Sequence, residues 1–159
     1  MNGKPTEVLV GERIARQGQL RVACAAVLFD QGRDNILLTR RSDNGQWCLP
    51  GGVLDPGESV AEGCEREVFE ETCLQVKVLR LTGIYSNPDQ LIVYPDGNMV
   101  HVFVLCFEVR CVGGELGLSV ETTGAQFFPV SEALQMDLFH GHAEFIRDIL
   151  TGNDRVFIR

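Results

Sequence analysis

Apolar residues fall along the 159-residue chain in short runs separated by turn chemistry, and the spacing within each run points to its element. Arg21 to Phe29 (RVACAAVLF) is almost continuously apolar and reads as a strand buried on both faces. Asp30 to Asp34 is a turn, and Asn35 to Thr39 (NILLT) is the next strand. Trp47-Cys48-Leu49 is a short extended piece. Val76 to Ser86 reads as a strand with a bulge at Gly83. Leu91 to Tyr94 and Met99 to Val109 flank Pro95-Asp96-Gly97-Asn98, a hairpin signal. Gly113, Gly114 and Gly117 mark a loop, and Ala125 to Val130 is a strand. Ser131 to Leu134 opens a short helix, His142 to Thr151 has the spacing of a covering helix, and Arg155 to Ile158 adds an edge strand. Residues 1–19 are polar and mixed, with a short strand at Val8-Leu9-Val10. This segment is expected to join the domain or to make a dimer contact, and 20–159 form the domain proper. Strands before, between and after helices imply a mixed sheet with helices on its faces, α/β or α+β.

The stretch Leu49 to Leu74 carries the chemistry. Asp55-Pro56-Gly57 is a turn, and Ser59 followed by Glu62 is a capping box that starts a helix. Val60, Ala61, Cys64 and Val68 share one apolar arc of that helix. Glu67, Glu70 and Glu71 fall together on its flank at i, i+3 and i+4. Like charges at that spacing cost about 0.2–0.5 kcal/mol per pair on an exposed helix, and more where water is excluded. Only Arg66 offers nearby relief. A hard divalent cation would turn the repulsion into binding, because Mg²⁺ and Mn²⁺ prefer carboxylate oxygen. Gly63 on the same side leaves room for an approaching group. On the helix alone, a solvated acidic face is an equal reading. Gly51, Gly52 and Gly57 let backbone come close to another group, and a carbonyl there could join the carboxylates around a cation.

Gly52, five residues, Glu58, seven residues, then Arg66-Glu67-Val68-Phe69-Glu70-Glu71-Thr72-Cys73-Leu74 resembles the Nudix box of MutT-like hydrolases. That pattern is G-x5-E-x7-R-E-U-x-E-E-x-G-U, and eight of its nine specified positions match. Cys73 departs from it, standing where the family has the glycine that ends the helix in a left-handed conformation. The resemblance implies an α/β/α sandwich around a mixed β-sheet and hydrolysis of a pyrophosphate bond with Mg²⁺ or Mn²⁺. It implies Glu67, Glu70 and Glu71 as metal ligands, helped by a main-chain carbonyl near Gly51 or Gly52. Arg66 and Glu58 would orient the glutamates. The general base would be a box glutamate or one on a later loop; Glu121 is that candidate, from an E-x5-aromatic-aromatic segment ending at Phe127 and Phe128, with Glu115 the weaker competitor.

Substrate contacts lie outside the box. Arg40 and Arg41, just past a strand end, are candidates for phosphate, although a plain surface role is an equal reading. Tyr85 and Phe127, with Trp47 and Tyr94, are candidates for stacking on a base, although aromatics in such runs more often fill a core. Asn87-Pro88 is a turn beside the site, and His140-Gly141-His142 reads as a helix start rather than a metal pair.

Composition narrows the partners. The formal net charge is −8 and the pI about 4.8, which disfavours nucleic acid and anionic membrane as partners. An anionic substrate would then need a cation as mediator. No apolar stretch approaches the roughly 20 residues of a membrane span, and the first residues lack a signal-peptide layout. Six cysteines without a C-x-x-C pair read as reduced thiols of a cytoplasmic protein. The expected function is hydrolysis of a nucleoside diphosphate linked to another moiety, of ADP-ribose or nucleotide-sugar type. The alternatives are a nucleoside triphosphate pyrophosphohydrolase and a non-catalytic nucleotide-sensing regulator; regulators of that kind typically lose box glutamates, which this chain keeps.

Overall fold

The computed structural model describes residues 4–159. Ten strands and three helices follow in the order β1 (Glu7–Val10), β2 (Gln19–Leu28), β3 (Asn35–Arg41), β4 (Trp47–Cys48), β5 (Gly51–Val53), α1 (Val60–Thr72), β6 (Leu74–Tyr85), β7 (Gln90–Val93), β8 (Met99–Gly114), β9 (Thr122–Pro129), α2 (Val130–Ala133), α3 (His142–Leu150) and β10 (Phe157–Ile158). Seven strands form one sheet, in the order β1-β7-β8-β2-β5, with β6 against β8 and β10 against β6. β4-β3-β9 form a second sheet. The larger sheet is mixed: β2 runs parallel to β8 over ten residue pairs and β10 parallel to β6, whereas β5 is antiparallel to β2, and β6 and β7 are antiparallel to β8.

Strand alternation divides the core in two. On β2, Ala25 and Val27 face a cluster with Leu38 and Phe128 of the second sheet and Phe145, Ile146 and Ile149 of α3. Cys24, Ala26 and Leu28 face the opposite cluster, with Leu37 and with Cys64 and Val68 of α1. The helices thus cover opposite faces of a mixed β layer, the α/β/α arrangement. Only the second half of β2 is buried on both faces, because Gln19–Val22 run beyond the covering helices and stay exposed. Two other expectations change. The glycine loop continues as strand β5, and β8 runs through Gly113 and Gly114, where a loop was expected. β1 pairs with β7 of its own chain, so the described part of the N-terminal segment is an edge of the larger sheet.

Helix α1 starts as its sequence directs. Ser59 Oγ accepts from the Glu62 amide, and the Glu62 carboxylate accepts from the Ser59 amide. Cys64 and Val68 are fully buried, but Val60 is exposed, since it sits in the first turn beyond the packed surface. At its end Cys73 adopts φ 62°, the left-handed conformation in which family members carry glycine, and its amide donates to the Phe69 carbonyl. That conformation costs a side chain about 1–2 kcal/mol. Cys73→Gly is therefore expected to raise unfolding free energy by about 1 kcal/mol in urea denaturation, despite the greater chain entropy of glycine. An unchanged or lower midpoint would show that the cap is unstrained.

Candidate active site

A cavity of about 560 Å³ opens between the two sheets, within the size range of small-molecule sites. Box residues line one end: Gly51, Gly52, Glu67 and Glu71, with Glu121 beside them. The other end is walled by Arg41, Tyr94, Ile92, Phe139 and His140.

Arg66 organises the acidic end. Its Nε and Nη2 donate to Glu58, and its Nη1 donates to Glu67 at 2.9 Å and Glu70 at 3.0 Å. One guanidinium thus relieves three glutamates, and each end of its fork has work to do. Glu58 in turn accepts from the Asp55 amide, which ties the turn before the helix to the same guanidinium. The hydrogen bond from Arg66 holds the Glu58 carboxyl below the usual range.

Two glycines lie tightly against their neighbours beside this cluster. A Cβ on Gly52 would lie 2.6 Å from the Glu67 carboxylate, and one on Gly51, where φ is +154°, would lie 2.1 Å from the Cys24 carbonyl. Gly63 does not make room for a ligand. The space beside it is filled by Leu54 and the Glu58 carboxylate, so this glycine serves internal packing.

Burial raises the proton affinity of the two inner glutamates. Glu67 is pushed up by desolvation, opposed by Arg66. Glu71 is pushed up to about 8, by desolvation and by the charges of Glu67 and Glu121, against the Gly51 amide and Thr39 hydroxyl that donate to it. The repulsion between the helix glutamates is thus met by Arg66, and at Glu71 it adds to a raised proton affinity.

Among the described residues, no three His, Cys, Asp or Glu side chains stand in ready ligand geometry. The donor set nevertheless suits a hard divalent ion. It is all oxygen, and the Glu67 carboxylate rests on the Gly51-Gly52 backbone that a side chain would displace. Glu121 reaches the same end from the loop before β9, because the Thr122 hydroxyl donates to the Glu71 carbonyl and pins that loop to α1.

The remaining candidates separate by geometry. Arg41 lines the cavity, but Arg40 does not: strand alternation turns it away from Thr39 and Arg41, and its Nε donates to the Gly45 carbonyl. Tyr85 forms part of the wall but is committed to the core, stacking on Phe145 with ring centres 4.0 Å apart and donating to Asp148. Phe127 packs in the α1 cluster and is not at the cavity, and Trp47 packs edge-on against Phe128. Tyr94 lines the cavity. His142 opens α3, with Nδ1 accepting from the Leu49 amide.

Thr39, Asp43, Gln90 and His140 also line the cavity and were not expected there. Thr39 had a signal, since it alternates with Leu38 on β3; the other three depend on the meeting of distant segments.

The NUDIX domain family model matches residues 19–149. The chain belongs to the Nudix family. Over 122 residues it is 38% identical to an ADP-ribose pyrophosphatase of Methanocaldococcus jannaschii, spanning 74% of this chain and 68% of that one. A MutT-like protein of Streptomyces ambofaciens is 39% identical over 106 residues, 67% of this chain and 61% of its own. The crystal structure of an ADP-ribose pyrophosphatase from Streptococcus suis superposes with a TM-score of 0.69 at 27% identity, covering 87% of this chain and 98% of that one. The protein is a Nudix hydrolase, and its mixed sheet flanked by helices is the Nudix fold. No helix among the described residues is long and apolar enough to cross a membrane.

The state of Glu71 gives a stability test. Its folded proton affinity exceeds the unfolded value of about 4.3, so the proton's stabilisation is complete at low pH and is lost as pH rises through about 8. In chelator, Glu71→Gln is expected to exceed wild type in urea midpoint by more at pH 8.5 than at pH 5. An equal difference at both values would contradict a buried, protonated Glu71.

Proposed function

We propose that this Nudix hydrolase cleaves the pyrophosphate bond of a nucleoside diphosphate linked to a second moiety, with ADP-ribose the leading substrate. The observation that carries this reading is one continuous cavity joining the acidic end at Glu67, Glu71 and Glu121 to the wall of Arg41, Tyr94 and Phe139. A two-ended substrate fills such a space, with its diphosphate at the glutamates and its nucleoside between the sheets. The similarity to two ADP-ribose pyrophosphatases supports the same class.

In this reading Glu67, Glu70 and Glu71, with a carbonyl of the Gly51-Gly52 backbone, would hold Mg²⁺ or Mn²⁺. The ion, when bound, would neutralise phosphoryl charge and acidify water. Arg66 positions Glu67 and Glu70, and Glu58 positions Arg66. Glu121 is the proposed base: it lies at the cavity beside Glu67 and Glu71, and among the described residues its carboxylate makes no ion pair. Its carboxylate would take a proton from the attacking water as the water oxygen bonds to phosphorus and the bridging P–O bond breaks, the bridging oxygen leaving with the other phosphate. The products are a nucleoside monophosphate and a sugar phosphate. Arg41 would meet the diphosphate, and Tyr94 with Phe139 would flank the base.

The experiment is a substrate panel with product identification, with Mg²⁺ or Mn²⁺ present. ADP-ribose is expected to yield AMP and ribose phosphate. Pyrophosphate release from a triphosphate, with no cleavage of diphosphate-linked substrates, would favour the triphosphate alternative, and no turnover at all would favour a regulator. Chelation is expected to abolish turnover and either metal to restore it. Glu70→Gln is expected to lower kcat/KM by about 10²- to 10⁴-fold. Without metal its stability should stay within about 0.5 kcal/mol, because the exposed pair with Arg66 contributes little.

A further inference from the structure

We propose that Thr6 and Asp43 are positioning residues that aim the Arg41 guanidinium into the substrate cavity. Arg41 is the sole Lys or Arg among the described residues that line the cavity, whose lining also includes Glu67, Glu71, Glu121 and Glu144. An anionic diphosphate therefore depends on where this one side chain points.

The side chain is held on one edge and one face. Its Nε and Nη2 donate to the two oxygens of Asp43, at 2.9 and 2.5 Å. Its guanidinium lies over the Phe139 ring, 4.5 Å from the centre. Asp43 is itself held, since the Thr6 hydroxyl donates to its Oδ2. Among the described residues Nη1 has no partner, so the fork is fixed with one donor nitrogen still available.

The chain of contacts crosses the fold. Thr6 is buried just ahead of β1, the edge of the seven-stranded sheet. Arg41 is the last residue of β3, in the other sheet, and Asp43 lies in the turn that follows it. A hydroxyl just ahead of one sheet's edge strand thus fixes a carboxylate and a guanidinium at the end of a strand of the other. A bidentate carboxylate alone leaves the pair free to swing together; the third contact removes that freedom. The N-terminal segment, which lies outside the matched NUDIX region, thereby takes part in the site.

This inference rests on the reading of the cavity as a diphosphate site, so its test has one arm that needs no substrate. Thr6→Val keeps the buried volume and removes the hydroxyl, and Thr6→Ser restores it. In nitrogen-15 NMR, wild type and Thr6→Ser should show a sharp, slowly exchanging Arg41 Nε–H signal, assigned by its loss in Arg41→Lys. Thr6→Val should broaden it and speed its exchange. With ADP-ribose and Mg²⁺, Thr6→Val should raise KM about three- to tenfold with kcat within about twofold of wild type. Thr6→Ser should return KM towards the wild-type value. An unchanged Nε–H signal in Thr6→Val would overturn the proposal, whatever the substrate. So would an unchanged KM, or a Thr6→Ser that behaves as Thr6→Val. Absence of ADP-ribose turnover in wild type would instead count against the functional reading and leave the NMR arm to decide the positioning role.

Discussion

One guanidinium makes the acidic end of this molecule possible. Arg66 donates to Glu58, Glu67 and Glu70, and so neutralises carboxylates that would otherwise repel along a single helix flank. Those contacts also join the turn before α1 to the helix itself, through Glu58 and the Asp55 amide. Glu71 has no contact with that fork, and burial raises its proton affinity instead. The oxygens of this end remain suited to a hard cation.

Around this end the fold supplies rigidity from backbone rather than from side chains. β5 brings Gly51 and Gly52 between β2 and α1, where a Cβ at Gly51 would strike the Cys24 backbone and one at Gly52 would displace the Glu67 carboxylate. The Thr122 hydroxyl draws the next loop onto the helix carbonyl of Glu71, which is how Glu121 comes to the cavity from fifty residues away along the chain. The opposite wall is built differently, from aromatic and polar side chains of β3, β7 and the approach to α3. In the proposed function, chemistry and recognition rest on separate parts of one cavity.

Much of the acidic end could be read before any coordinates. The Ser59 and Glu62 pairing announced the start of α1, the spacing of Glu67, Glu70 and Glu71 gave their common flank, and Arg66 was the evident relief. The departure of Cys73 from the box glycine leaves open how the helix ends, and the structure keeps the left-handed turn. The recognition wall was less legible. Arg40 and Arg41 are adjacent and chemically identical, and only strand direction decides which one meets the cavity. Phe127 and Tyr85 look like platforms in sequence, yet one fills the α1 core and the other is claimed by Asp148 and Phe145. Gly63 suggested open space because a missing side chain does not say which neighbour will occupy the gap. Such outcomes depend on segments that are distant in the chain, and no local pattern encodes them.

The contact between Gly52 and the Glu67 carboxylate has a consequence for how such an enzyme can change through descent. Any larger residue at position 52 must push the Glu67 carboxylate aside, so a change there alters the acidic end at once. Residues such as Tyr94 and His140 line the cavity away from that contact and can be exchanged one at a time. New preferences among substrates would therefore arise at the far wall, while the bond-breaking apparatus is inherited intact.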